Sequence, residues 1–162
     1  MKLIDEKVCA YIAGFLDGDG CLMAQIIKGV YKYKFRIRLS IVFYQHAKRK
    51  WFLLQLKKLF DDIGYVRIHK TNNMCDYTIT GSRSIEHILL QLMPYIQLKK
   101  TSAALMLQLI KKEKLVTTKA DFIEVCQLVD KIAEQNFSKK RIITSKVVEA
   151  TLMLPVETEK SS

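Results

Sequence analysis

The sequence lacks the features of a secreted, zinc-binding or membrane-spanning protein. Its 162 residues include only four cysteines, at positions 9, 21, 75 and 126, and none has C-x-x-C spacing. Such sparse cysteines are typical of reduced thiols in an intracellular protein and indicate no zinc site. The apolar runs are far shorter than the roughly 20 residues that a bilayer span requires. Because the first residues resemble neither a secretion signal nor a transit peptide, we expect the protein to work where it is made.

Acidic residues are scarce relative to basic ones. The chain has 27 Lys and Arg against 16 Asp and Glu, a formal net charge of +11 and a pI near 9.5. Such an excess favours a polyanionic partner, either nucleic acid or an acidic membrane surface. Between residues 21 and 50 there are eight Lys or Arg and no acid. A solvated strand surface usually mixes both signs, so this unmixed charge indicates a polyanion-binding surface.

Half of the six glycines lie in one short stretch, Ile12-Ala13-Gly14-Phe15-Leu16-Asp17-Gly18-Asp19-Gly20. Its apolar residues predict a helix that begins near Lys7. Gly14 and Gly18 are four residues apart and therefore share one helix face. Together with Ala13 they leave that face nearly without side chains, so we expect another helix to pack closely against it.

Two carboxylates, Asp17 and Asp19, fall in the last turn of this helix. At the negative end of the helix dipole each is unfavourable by roughly 0.3–1 kcal/mol, and a bound cation would offset the repulsion. Asp-Gly pairs also form ordinary helix-ending turns, so that interpretation stays open. A calcium loop starting at Asp17 is excluded, because it would need oxygen ligands where Cys21 and Lys28 stand.

Alternation of apolar and charged residues predicts a basic sheet surface. Residues 21–28 are apolar and bounded by Gly29, which predicts a strand followed by a hairpin. From Lys32 to Tyr44 the two faces of the next strand separate clearly. The apolar face carries Tyr33, Phe35, Ile37, Leu39, Ile41 and Phe43, and the other carries Lys32, Lys34, Arg36, Arg38 and Ser40.

The following residues repeat this pattern. A helix is predicted over residues 48–60, a strand pair over 65–70 and 75–80, and then a helix that Pro94 ends. The order helix-strand-strand-helix-strand-strand-helix predicts an α+β fold. It consists of a four-stranded antiparallel sheet with helices on one face and a bare, basic opposite face. In the second pair we expect inward side chains at Val66, Ile68, Tyr77 and Ile79.

The C-terminal third adds further helices. One carries Ala103, Leu107 and Ile110, and two more are predicted over residues 119–134 and 145–154. The basic loop 136–141 between these two either binds phosphates or is a solvated linker. We expect residues 1–155 to form one domain and the acidic, serine-containing tail 156–162 to be disordered.

Residues 12–20 resemble the signature of the LAGLIDADG homing endonucleases, whose fold is the saddle with this same order of helices and strands. The similarity is strongest to the single-motif enzymes encoded by introns in algal chloroplast ribosomal RNA genes. Members with one motif act as homodimers, so the resemblance implies a homodimer. Further segments in matching order and near-matching spacing are Tyr33-Lys34-Phe35, Leu39-Ser40, Trp51-Phe52, 63–67, Asp76-Tyr77, Lys99-Lys100, Glu124-Val125-Cys126 and Ser138-Lys139.

The resemblance implies metal-dependent double-strand cleavage of a long pseudo-palindromic DNA site, which promotes intron homing. Mg²⁺ is the implied cofactor; Mn²⁺ is expected to substitute, and Ca²⁺ to bind without supporting cleavage. By this resemblance the metal ligands are the Asp19 carboxylate and the Gly18 carbonyl, while Asp17 shapes the turn or helix end. Gln45, Arg49 and Lys99 are expected to order water around the metals, and Lys99 also to stabilise phosphate charge. The implied dimer interface contains Ala13, Gly14, Asp17 and Gly18.

The sheet and the basic loop supply the candidate DNA-binding residues. Long side chains on a twisted sheet enter the major groove, where guanidinium and amide groups discriminate base edges. The candidates on the sheet are Gln25, Lys28, Lys32, Arg36, Arg38, Ser40, Tyr44, Arg67, His69, Asp76 and Thr78, and the loop adds Ser138, Lys139 and Lys140.

Two other functions fit the same scaffold: an RNA maturase and a DNA-binding protein without catalysis. Asp19 together with Lys99 argues against both, since a pure binder has no use for an acid beside phosphates. We therefore predict a nuclease that acts in the organelle encoding it, the chloroplast or alternatively the mitochondrion. Its predicted partners are double-stranded DNA and a second copy, with no membrane and no small-molecule substrate.

Overall fold

The computed structural model describes residues 2–137 and 140–154, which fold as the predicted α+β arrangement. None of the described helices is long and apolar enough to cross a membrane. The predicted tail, Ser138 and Lys139 lie outside the described residues. The elements, in chain order, are α1 Glu6–Asp19, β1 Gly20–Lys28, β2 Phe35–His46, α2 Lys50–Leu59, β3 Tyr65–His69, β4 Met74–Thr80, α3 Ser82–Leu92, α4 Lys100–Glu113, α5 Lys119–Gln135 and α6 Ser145–Met153.

The four strands form one antiparallel sheet in the order β1-β2-β4-β3. The helices pack against the face that carries Leu22, Ile41 and Ile79, all fully buried, as the alternation predicts. The opposite face, which we call the open face, is a concave surface that encloses about 300 Å³. It is lined by Met23, Gln25, Arg38, Ser40, Val42, Tyr44, Tyr65, Arg67, Asp76, Thr78 and Thr80.

Helix α1 is fixed at its start and along one side. The Asp5 carboxylate caps it by accepting hydrogen bonds from the backbone N–H groups of Lys7 and Val8, at 2.9 and 3.4 Å. Its inner side buries Ile12 and Leu16, and the Phe15 ring stacks on Phe43 with 5.6 Å between centroids. This packing fixes the C-terminal end of α1 beside the end of β2.

The β1–β2 hairpin differs from the prediction in where its second strand begins. β2 starts at Phe35, so Lys32 and Lys34 lie in the connecting turn instead of on the strand. Lys34 has a φ of 60°, in the left-handed region, which is incompatible with a strand. Lys28 is also misassigned: it pairs with Phe35, whose side chain is buried, so its position belongs to the helix-covered face.

Ile68 of β3 has the predicted inward direction but is only partly covered. It has the parity of the core face, since it pairs with the buried Cys75, yet 47% of its surface is exposed. β3 is an edge strand of the sheet, so Ile68 has a neighbouring strand on one side only. Alternation predicts which way a side chain points but not whether anything packs on it.

Candidate functional site

Three of the predicted catalytic side chains lie in a line at the end of α1. The Gln45 amide Nε2 lies 3.4 Å from Asp19 Oδ2, and Arg49 Nη1 donates to Gln45 Oε1 at 3.2 Å. Asp19 ends α1, Gln45 is near the end of β2, and Arg49 closes the 3-10 turn Ala47–Arg49 that follows. Asp19 and Gln45 come together because β1 follows α1 without a loop and pairs with β2, so that Gly20 lies opposite Phe43.

Lys99 reaches this end of α1 from the segment that leads into α4. Its ammonium Nζ donates to the backbone carbonyl of Asp17 at 2.6 Å. The Asp17 carboxylate accepts the backbone N–H groups of Gln97, Leu98 and Lys99, at 2.7, 3.1 and 3.0 Å. Asp17 therefore fixes the start of α4 and the position of Lys99. These donors also offset the unfavourable placement of a carboxylate in the last turn of α1.

The Asp17 carboxylate binds its own chain, and its predicted place in a dimer interface stays a prediction. The prediction for Ala13 is corrected: this residue is completely buried within its own chain and has no surface left for a partner. The bare side of α1 is thus made by the glycines alone.

Replacing Asp17 with Ala is expected to lower the free energy of unfolding by about 1–2 kcal/mol, within the usual range for a lost helix cap. Three backbone donors lose their acceptor and the Lys99 segment is released. Urea unfolding measures the loss. Asp5→Ala, which removes two hydrogen bonds to the start of α1 instead of the three that Asp17 accepts, is the matched control and should cost less. An equal or smaller loss at Asp17 would contradict its role as the link between α1 and α4.

The carboxylate and carbonyl oxygens at the end of α1 suit a hard divalent cation. Asp19 is exposed, and the last carbonyls of a helix have no intrahelical donor. The N–H of Gly20 donates to the Leu16 carbonyl, and the Lys99 ammonium donates to the Asp17 carbonyl. The carbonyl of Gly18, the next residue along the helix, is therefore the next candidate metal ligand. Carboxylate and carbonyl oxygens are the ligands that Mg²⁺ and Ca²⁺ prefer.

One chain does not complete such a site. Within residues 2–137 and 140–154, no three His, Cys, Asp or Glu side chains gather where they could hold a metal ion. Burial raises the pKa of the Cys21 thiol, two residues beyond Asp19, although the nearby Lys99 charge opposes this shift.

The bare face of α1 is open to a partner. A Cβ atom added at Gly14 or Gly18 would meet no atom of the described residues within 4 Å, and both glycines are exposed. We call this pair the glycine stripe. Beside it lie Tyr11, 63% exposed, and Trp51, 59% exposed, two large side chains that the sequence interpretation did not assign to an interface. Apolar surface next to a smooth helix face is typical of a protein–protein contact.

On the open face, two arginines are each held by a neighbouring strand. Arg38 donates from Nη2 to Gln25 Oε1 at 2.7 Å, and the two residues are direct register partners. Arg67 donates from Nε and Nη2 to Asp76 Oδ1 at 3.3 and 3.2 Å. Such pairs fix the guanidinium groups on the surface, with the remaining N–H groups free for a ligand.

Asp76 is the centre of a buried network instead of a surface contact. Only 1% of its surface is exposed. Oδ1 contacts both Arg67 and His69 Nε2, and Oδ2 accepts from Thr78 Oγ1 at 2.8 Å. The prediction that Asp76 touches DNA directly is therefore wrong, since this side chain is buried beneath its neighbours. Thr78, 7% exposed on the floor of the open face, stays a predicted contact.

The other predicted DNA-binding residues have varied surroundings. Ser40 is 6% exposed at the floor of the open face, and Tyr44 is 37% exposed beside it. Burial raises the pKa of the Tyr44 hydroxyl, which therefore stays a neutral donor. Lys140 is exposed, as a phosphate-binding residue would be.

Asp76→Ala is expected to relax base preference at two neighbouring positions of each half-site, because Arg67 and His69 lose their shared anchor. A well-made contact to a base is worth roughly 1–3 kcal/mol of discrimination, so about tenfold per position is expected. Cleavage of a randomised target library measures the base preference at both DNA positions. Arg67→Ala is the reference and should relax the preference only at the DNA position that Arg67 reads. If the two variants give the same profile, Asp76 does not position His69.

Comparisons with known proteins identify the class of this arrangement. The family described as LAGLIDADG endonuclease matches residues 12–113. DNA endonuclease I-CreI of Chlamydomonas reinhardtii is 40% identical over 161 residues, covering 98% of this chain and 96% of that protein. DNA endonuclease I-CvuI of Chlorella vulgaris is 34% identical over 150 residues, covering 91% of each.

Solved structures agree. The crystal structure of I-CvuI with the I-CreI target and 2 mM Mg, in which the DNA is not cleaved, has a TM-score of 0.83 and 33% identity over 91% of this chain and 94% of that one. The archaeal intron-encoded homing endonuclease I-Vdi141I bound to DNA shares the fold, with a TM-score of 0.78 and 13% identity over 91% and 95%.

The chain belongs to the LAGLIDADG family of homing endonucleases. It is of the single-motif type, with the motif at residues 12–20. The family and the fold predicted from the sequence are confirmed.

Proposed function

We propose that two copies of this chain pair through their glycine stripes and cut both strands of a specific, long, pseudo-palindromic DNA site. The observation that carries the proposal is the end of α1. There Asp19, Gln45, Arg49 and Lys99 converge beside a helix face that none of the described residues covers at Gly14 and Gly18. Pairing two such helices about a two-fold axis brings the two Asp19 carboxylates together.

The homodimer explains why one chain holds an incomplete metal site. Each copy provides the Asp19 carboxylate and the carbonyl of Gly18, so two copies together double the protein ligands, and water and DNA phosphate oxygens complete the shell that a hard cation requires. We propose Mg²⁺ as the natural metal, Mn²⁺ as a substitute and Ca²⁺ as an ion that binds without supporting cleavage. Structures of the Chlorella relative with DNA in 2 mM Mg and in 2 mM Ca support the choice of divalent ions.

The side chains around Asp19 have distinct proposed roles in phosphodiester hydrolysis. A divalent cation bound there supplies Lewis acidity and an activated water. Gln45 and Arg49, already linked to each other, hold water molecules by hydrogen bonds next to Asp19. Lys99 keeps a positive charge at the end of α1, where negative charge builds up on the phosphate in the transition state.

The open face is the proposed reader of the DNA sequence. Its concave shape and its Arg36, Arg38 and Arg67 side chains suit the major groove, in which guanidinium groups recognise guanine. Because the two copies are identical, each contact occurs in both half-sites. Ser138, Lys139 and Lys140 are proposed to bind phosphates beyond the sheet, within one domain of residues 1–155.

The cellular setting follows from the relatives. Both algal proteins are DNA endonucleases, from Chlamydomonas and Chlorella. We propose that this chain is likewise encoded by an organellar intron, acts in the chloroplast and promotes homing of that intron.

Selection from a library of randomised duplexes tests the function. The chain is incubated with the library in Mg²⁺, in Ca²⁺ or in EDTA, and cut ends are sequenced. We expect one family of pseudo-palindromic sites cut on both strands in Mg²⁺, and bound but uncut DNA in Ca²⁺. Cleavage in EDTA, or the absence of any selected site in Mg²⁺ and Mn²⁺, would contradict the proposal.

A further inference from the structure

Arg36 differs from the other two arginines of the open face. Arg38 and Arg67 are held by hydrogen bonds to Gln25 and Asp76. In the part of the chain that the structure describes, no hydrogen bond or ion pair holds the Arg36 guanidinium. Instead its Cζ lies 5.3 Å from the ring centroid of Tyr31, within the range of a cation–π contact.

Tyr31 belongs to the turn between β1 and β2, and the turn fixes its ring. The Gly29 N–H donates to the Lys34 carbonyl at 2.9 Å, and the Lys34 N–H donates to the Tyr31 carbonyl at 2.9 Å. Lys34 takes the left-handed φ of 60° that closes this turn. The Tyr31 N–H adds a bond of 3.0 Å to the Gly29 carbonyl. The turn is thus held together by its own backbone.

Gly29 makes room for the Tyr31 ring. A methyl group added at Gly29 would lie 2.7 Å from the ring atom Cε2, closer than carbon atoms pack. The ring therefore lies directly over the Gly29 backbone. Any side chain at position 29 would push the ring away from this place.

We infer that Tyr31 is a positioning residue for sequence recognition, and that it determines specificity through Arg36. A ring on one face of a guanidinium restricts the group but leaves its N–H edge free, and this edge recognises guanine O6 and N7. This inference rests on the proposed function, in which the open face reads DNA. Tyr31 itself need not touch a base.

The position of Tyr31 and Arg36 along the sheet predicts which part of the DNA target Arg36 reads. β1 runs from Gly20, next to Asp19, to Lys28, at the turn. Eight residues of strand span about 26 Å. At 3.4 Å per base pair this is about eight base pairs from the cut, so Arg36 reads the outer part of each half-site.

Library cleavage at this outer position tests the inference with four variants: Tyr31→Ala, Tyr31→Phe, Gly29→Ala and Arg36→Ala. Arg36→Ala should remove most of the preference. Tyr31→Ala should weaken it about two- to fivefold at the same base pair, as the loss of a partly exposed cation–π contact predicts. Gly29→Ala should do the same by displacing the ring, and Tyr31→Phe should keep the preference because it keeps the ring. Val30→Ala, at a fully exposed neighbour, is the control and should change nothing.

A double variant separates positioning from direct contact. If Tyr31 acts through Arg36, then Tyr31→Ala adds no further loss in the Arg36→Ala background. Additive losses, or a Tyr31→Phe profile equal to that of Tyr31→Ala, would overturn the inference by showing that the hydroxyl contacts DNA itself. An unchanged preference in Tyr31→Ala, with normal cleavage by the original chain, would also overturn it. Failure of the original chain to cut any site refutes the proposed function instead.

Discussion

Asp19→Asn is expected to abolish cleavage while dimer formation and specific DNA binding persist. Asparagine keeps the shape of the side chain but removes the charge that attracts a divalent cation. Metal ions contribute several kcal/mol of charge stabilisation to phosphodiester hydrolysis, so we expect a loss of roughly 10³-fold or more in rate. Binding should persist because the arginines of the open face are unaffected.

The rate is measured on a plasmid carrying the selected site, and binding on the same duplex in Ca²⁺. Asp5→Asn is the matched control. It changes the same residue type at the opposite end of the same helix, and Asn caps a helix as well as Asp does. We expect this variant to cut normally. Substantial nicking by Asp19→Asn in Mg²⁺ would remove Asp19 from the cleavage chemistry.

Gly14→Leu is expected to convert the protein into a folded monomer that does not cut DNA. A Cβ added at position 14 meets no atom of the described residues within 4 Å, so the enlargement has room within one chain. Leu also favours a helix over Gly by about 1 kcal/mol, so the isolated chain should be at least as stable. In the dimer, however, the side chain would stand where the second helix must approach, and the two Asp19 residues could not meet.

Sedimentation and thermal unfolding distinguish loss of pairing from loss of folding. Ala104→Leu, a similar enlargement at an exposed position of α4, is the control and should remain dimeric and active. A Gly14→Leu protein that dimerises and cuts normally would show that the glycine stripe is not the seam between the copies.

The elements that the sequence predicts well are those with local causes. The alternation in β2 and the apolar spacing of α1 each arise from neighbouring residues, so the strand and helix follow directly. The order of these elements then restricts the sheet to few arrangements, and the α+β fold is confirmed. Gln45 and Arg49 lie near Asp19 as the family resemblance implies.

Details that depend on distant segments could not be predicted. By residue type and spacing alone Asp17 and Asp19 look equivalent, as two acids in one helix turn, and only the family resemblance gives them different roles. The structure separates them, because backbone N–H groups eighty residues away bind Asp17 and leave Asp19 exposed. No local signal reports that contact.

Burial on the open face is a second example. Parity assigns Asp76 and Arg67 to the same face, which is correct. Parity does not predict that the short Asp76 side chain lies beneath the long Arg67 side chain, because this depth depends on side-chain lengths across two paired strands. The same holds for the Tyr31 ring, whose place depends on a left-handed lysine three residues away.

The central claim is that one cleavage site requires Asp19 from both copies. Mixed dimers, in which one copy is unchanged and the other carries Asp19→Asn, can be purified through two different affinity tags and incubated with supercoiled plasmid in Mg²⁺. The account predicts that they form neither linear nor nicked circles faster than the Asp19→Asn homodimer. Nicked circles produced at the rate of the original enzyme would show that each copy cuts its strand alone, and would contradict the account.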